Sequence, residues 1–160
     1  PQVIHLHELS RVIDEDPIPL PPPIPGPGER RAWRCAGAVT KTALRCTQFN
    51  SRKANFVVKE IKQLLVRNRP NAKRQAHALT RRCARVINRK SDRAIKAINH
   101  LCGRCIDRLL NLDRPDLARR IHVLCADKAK VIKDSQREAL AMIRSALSDA
   151  GMLLDAVSDR

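Results

Sequence analysis

The chain is poor in aromatic residues, which make up 2% of its 160 positions: Trp33, Phe49 and Phe56, with no tyrosine. Modules that read single-stranded nucleic acid stack bases on aromatic side chains, so this scarcity excludes that mode of recognition. Glycine is also scarce, at 5 residues, and apolar residues rarely alternate, which argues against a barrel or sandwich. No window approaches the roughly 18 consecutive apolar residues of a transmembrane helix. Spacing-defined catalytic signatures are absent: no glycine-rich phosphate loop, nucleophile elbow, HExxH or EF-hand loop. A non-enzymatic protein without a cofactor or metal is therefore expected, with no transmembrane segment.

Acids are the next shortage, and it is local. Residues 30–90 contain eighteen Lys and Arg against the single acid Glu60, which places +17 in that stretch of a chain whose formal net charge is +16. Residues 1–29 are mildly acidic, and residues 91–160 are nearly balanced. A block of one sign repels itself, so the basic stretch implies an anionic partner. Arginine outnumbers lysine by 22 to 10, and its guanidinium fork matches phosphate oxygens two at a time.

Seven of the 10 prolines lie between Pro17 and Pro27. That run tends toward polyproline II, so residues 1–30 are expected to form an extended arm lying on a neighbouring protein, and residues 31–160 a basic helical domain. Val3, Ile4, Leu6, Ile18, Leu20 and Ile24 are the arm's apolar contacts. A disordered tail is the competing reading.

From Ala32 onward, apolar residues recur at helical spacing. Cys35, Val39, Thr42, Cys46 and Phe49 mark a first helix, which Gly37 weakens. Val57, Ile61, Leu64 and Leu65 mark a second, closed by Asn68-Arg69-Pro70. Ala72, Ala76, Leu79, Cys83 and Val86 mark a third, capped by Asn71. A fourth opens at Ser91 or Asp92 and carries Ile95, Ile98, Cys102, Cys105 and Leu109. Asp113-Arg114-Pro115 closes it and opens a fifth, with Asp113 and Asp116 as helix-start residues and Leu117, Ile121 and Leu124 on its stripe, and a sixth begins near Asp134. The fold expected is all-α, an antiparallel helical bundle of about five to six helices with a Pro-rich N-terminal arm.

The six cysteines, Cys35, Cys46, Cys83, Cys102, Cys105 and Cys125, all fall on or beside an apolar stripe. In an antiparallel hairpin, facing residues are symmetric about the turn. Turns at Ser91-Asp92 and at 113–115 would permit disulfides Cys83–Cys102 and Cys105–Cys125. A zinc site built on Cys102 and Cys105 with Cys83, Cys125 or His122 competes weakly, and reduced core cysteines are the default in a reducing compartment. His5 and His7 lie in the arm, and His77, His100 and His122 are spread singly over separate helices.

The candidate binding residues are Arg67, Arg69, Lys73, Arg74, Arg81, Arg82, Arg85, Arg89 and Lys90. On helix 72–89 they occupy the face opposite the apolar stripe, suited to phosphate and shape recognition of a folded RNA or other polyanion. Three functions fit these features. The first is a structural subunit of a large ribonucleoprotein of ribosomal or organellar-ribosomal type, intracellular and with the mitochondrion as one location. The second is an accessory subunit of an organellar membrane complex, its basic face on anionic lipid. The third is a secreted, disulfide-bonded basic helical protein.

Overall fold

The computed structural model describes residues 25–67 and 70–151. Three helices account for nearly all of them: α1 (Pro27–Arg67), α2 (Ala72–Asn111) and α3 (Pro115–Asp149). Of the expected arm, residues 1–24 lie outside the described residues, as do His5, His7 and Arg69, while Pro27–Arg30 already belong to α1, ahead of the boundary expected at 30.

Each helix terminus has a local chemical cause. Pro27 opens α1 at the end of the proline run; its fixed φ suits a first helical position, where an N–H would have no partner. Gly26 precedes it, and its carbonyl accepts from the Arg30 amide at 3.0 Å. Asn71 precedes α2 as the spacing predicts, its carbonyl accepting from the Gln75 amide at 3.0 Å. At the end of α2 the Arg114 amide reaches back to Leu109 O at 2.9 Å and the Asp113 amide to Leu110 O at 3.0 Å. Asp113 sits at φ 58°. This is the Schellman arrangement with an aspartate in the left-handed position, so Asp113 ends a helix and does not start one. Asp116 does lie in the first turn of α3.

The bundle is all-α, as expected, but the described residues form three long helices and not five to six. The expected boundaries near Asn50, at Ser91-Asp92 and near Asp134 all lie inside continuous helix. Asn50 and Ser91 are fully buried and Ser135 nearly so. The Asn50 side-chain amide donates to Ser91 Oγ at 3.1 Å and to Ser135 Oγ at 3.4 Å. These three residues, one from each helix, are linked across the core by the two bonds that the Asn50 amide donates, while Asn50 Oδ1 has no partner among the described residues. Their polarity looks like capping in one dimension, but they cap nothing: no proline or glycine interrupts the backbone around them, and their side chains face their counterparts.

Internal packing divides the chain into two units. Among the described residues, unit 1 holds 25–45 with Arg93–Ile132, and unit 2 holds 46–67, 70–92 and 133–151. Each helix contributes a stretch to each unit. In unit 1 the fully buried side chains include Val39 from α1, Ile98 and Leu109 from α2, and Leu117, Ile121 and Leu124 from α3. In unit 2 a cluster of Val57, Ile61, Ile87, Ile143 and Leu147 is filled in by Ala54, Ala76, Cys83 and Ala139. The stripes read from spacing largely face inward, with two shifts. Ile87 is fully buried where Val86 was expected, and Leu65 is 50% exposed.

Cysteine pairing differs from the expectation. Cys35 is joined to Cys105, while Cys46, Cys83, Cys102 and Cys125 are buried thiols. Cys83 and Cys102 cannot form the bridge inferred from a turn at Ser91-Asp92, because both lie on the uninterrupted helix α2. Cys105 takes Cys35 in place of Cys125. Positions 35 and 105 are symmetric about residue 70, the middle of the α1–α2 turn, so the symmetry rule holds once that turn is used.

Candidate nucleic-acid interface

The basic surface of unit 2 follows from how α2 must pack. Ala76, Cys83 and Ile87 are buried against α1 and α3, and at 100° per residue this directs the intervening positions outward. Arg67, Arg74, Arg81, Arg82, Arg85, Arg89 and Lys90 are exposed, Lys73 is half-buried, and Arg69 is outside the described residues. Apart from Lys73, the candidates expected from residues 72–90 are thus exposed to solvent on one helix.

Phe49 extends this surface onto α1. The Lys90 ammonium lies 5.4 Å from its ring centroid and the Lys53 ammonium 5.7 Å. The negative face of the ring attracts both cations and holds the positive charges of two helices close together. Sequence spacing placed Phe49 on the inward stripe and did not single out Lys53. The ring is half-buried and engaged with lysines, which makes it a poor platform for an unpaired base.

A second basic region lies in unit 1. A groove of about 190 Å³ between α1 and α2 is lined by Arg31, Arg34, Arg104 and Arg108, with Ala38, Leu101 and the Cys35–Cys105 bridge. None of these arginines was a candidate from the sequence. The available signal was their register: 31 pairs with 108 and 34 with 104 about the turn near residue 70, but only if α1 and α2 are read as uninterrupted. The bridge ties the two helices at the level of the groove, and the aliphatic stems of arginine pack along such apolar walls while the charged heads reach water.

Arg114 behaves differently. It donates to Glu29 Oε1 at 2.6 Å and to both Asp116 oxygens at 3.1 and 2.9 Å. Its hydrogen bonds hold both carboxyls below their ordinary pKa range. With two acids around it, Arg114 is a structural tie between the starts of α1 and α3, unlike the exposed arginines of α2.

The histidines are not spread one to a helix: the buried His77 and the exposed His100 share α2, and His122 is exposed on α3. Among the described residues, no group of three or more His, Cys, Asp or Glu side chains could hold a metal ion. No described helix is long and apolar enough to cross a membrane. Comparison with protein-family models, with curated proteins and with solved structures found no match.

Proposed function

We propose that this protein is a non-enzymatic structural subunit of a large ribonucleoprotein, of ribosomal or organellar-ribosomal type, and binds folded RNA through phosphate contacts. One observation carries the reading: the arginines at 74, 81, 82, 85 and 89 all stand exposed on α2, opposite the face it buries in the core. A rigid helix presenting guanidinium groups at fixed spacing suits the phosphates of a structured polyanion. The acidic, proline-rich residues 1–24 fit the role of an arm bound by a protein neighbour.

The test is the salt dependence of binding to a structured RNA. Replacing Arg81, Arg82 and Arg85 with Gln should weaken binding and flatten the plot of log K against log salt by about one unit per lost phosphate contact. Equal affinity and slope for the variant and the parent would sink the proposal.

A second reading is favoured by the Cys35–Cys105 disulfide. Such bonds persist mainly in oxidising compartments, and a secreted basic helical protein would carry one. The same arginine face would then meet an anionic partner outside the cell. Recovery of the native protein in an RNase-sensitive particle decides for the first reading; recovery from extracellular material without nucleic acid decides for the second.

A further inference from the structure

Unit 1 contains four of the six cysteines, and the described bridge uses two of them. The other two, Cys102 of α2 and Cys125 of α3, are 8% and 3% exposed, and the two buried thiols are close enough to act on one another's ionisation. Their positions are symmetric about the Leu112–Arg114 turn, the relation that Cys35 and Cys105 bear to the α1–α2 turn. We infer that Cys102 and Cys125 close into a second disulfide, so that the three helices of unit 1 are joined in sequence, α1 to α2 by Cys35–Cys105 and α2 to α3 by Cys102–Cys125.

Three observations support the pairing. Two buried thiols at facing positions of antiparallel neighbouring helices need little backbone movement to bond. The pair stands beside a bridge: Cys102 and Cys105 are one helical turn apart on α2, so conditions that oxidise one pair bear on the other. The alternatives are also poor, since Cys46 and Cys83 belong to unit 2, where Cys46 faces Ser91 and Lys90 O and Cys83 lies in the aliphatic cluster.

The oxidant is a small disulfide such as oxidised glutathione. One cysteine, as thiolate, attacks a glutathione sulfur and releases one glutathione thiolate, leaving a mixed disulfide on the protein. The second cysteine, as thiolate, then attacks the protein sulfur of that mixed disulfide and expels the second glutathione thiolate. Two protein thiols lose two protons and two electrons, and one glutathione disulfide becomes two glutathione thiols. Burial and the neighbouring Cys102 hold Cys125 in its thiol form, so the exchange proceeds faster before unit 1 has packed than after.

Trypsin makes the pairing readable, because Arg104 separates Cys102 from Cys105. The full chain is refolded with reduced and oxidised glutathione, alkylated in denaturant without reduction, and digested. The expected products are peptide 35–41 joined to 105–108 and peptide 97–104 joined to 121–128, each two hydrogens lighter than its separate thiol peptides, with Cys46 and Cys83 alkylated. Adding oxidised glutathione only after the reduced chain has folded should form the second linkage more slowly than having it present during refolding. Alkylated Cys102 and Cys125 in a sample where 35–41 is joined to 105–108 would overturn the inference. So would either cysteine joined to another partner, or a native mass that retains a bound metal ion in place of the second bridge.

Discussion

Asn50 offers the sharpest test of how this core is held together. Its side-chain amide donates to Ser91 Oγ and Ser135 Oγ, while its Oδ1 has no hydrogen-bond partner among the described residues. Asn50→Ala removes both donated bonds, leaves two buried hydroxyls without that donor, and opens a small cavity. At about 1 kcal/mol for each hydrogen bond, plus the cavity, the variant should lose about 2–3 kcal/mol. Asn50→Leu combined with Ser91→Ala and Ser135→Ala should cost little or even stabilise. It removes donor and acceptors together, along with a buried oxygen whose desolvation costs about 1–3 kcal/mol.

The measurement is a double-mutant cycle read by urea unfolding with circular dichroism. Ser91→Ala should cost about 1 kcal/mol in the parent and close to nothing in the Asn50→Leu background, at an unchanged denaturant slope. If Ser91→Ala costs the same in both, the Asn50–Ser91 bond contributes nothing, and the continuity of α2 through Ser91 owes nothing to this polar contact.

Two further outcomes follow from the same structure. A Cβ built at Gly37 or Gly103 meets nothing within 4 Å, and both positions are helical, so Gly37→Ala and Gly103→Ala should each stabilise by about 0.5–1 kcal/mol, seen as a higher urea midpoint. Arg114 hydrogen-bonds Glu29 and Asp116 and depresses both carboxyls. The unfolded chain therefore binds more protons than the folded one as pH falls past the ordinary carboxylate range near about 4. The stabilisation is complete above that range and is lost as pH drops through the depressed folded values. Arg114→Gln should flatten the decline in stability between about pH 5 and pH 3, with a loss at neutral pH of about 1 kcal/mol or less because the groups are partly exposed. An unchanged acid limb would mean the pairing does not persist in solution.

Much of the candidate site was legible from residues 72–90, because a helix that buries Ala76 and Cys83 has no other side on which to place Arg74, Arg81, Arg82, Arg85 and Arg89. Periodicity of this kind is a local property: it depends on the turn of one helix and on the avoidance of water by its apolar residues. The all-α class, the cap at Asn71, the helix start at Pro115 and the charge of the basic stretch were readable for the same reason. The groove arginines and the Phe49–lysine cluster were not, since they combine residues far apart in the chain whose proximity depends on register.

The sequence by itself determined which faces turn inward and where positive charge gathers, since both follow from spacing along one chain. Only the tertiary structure decided how many helices there are and which cysteines meet. A buried Asn50, Ser91 or Ser135 has the same local signature as a capping residue. What distinguishes the two is whether a partner on another helix supplies the hydrogen bond. With the Asn50 amide bonded to Ser91 and Ser135, the helices run through these positions, the turns fall near 70 and 113, and the register that follows brings Cys35 to Cys105.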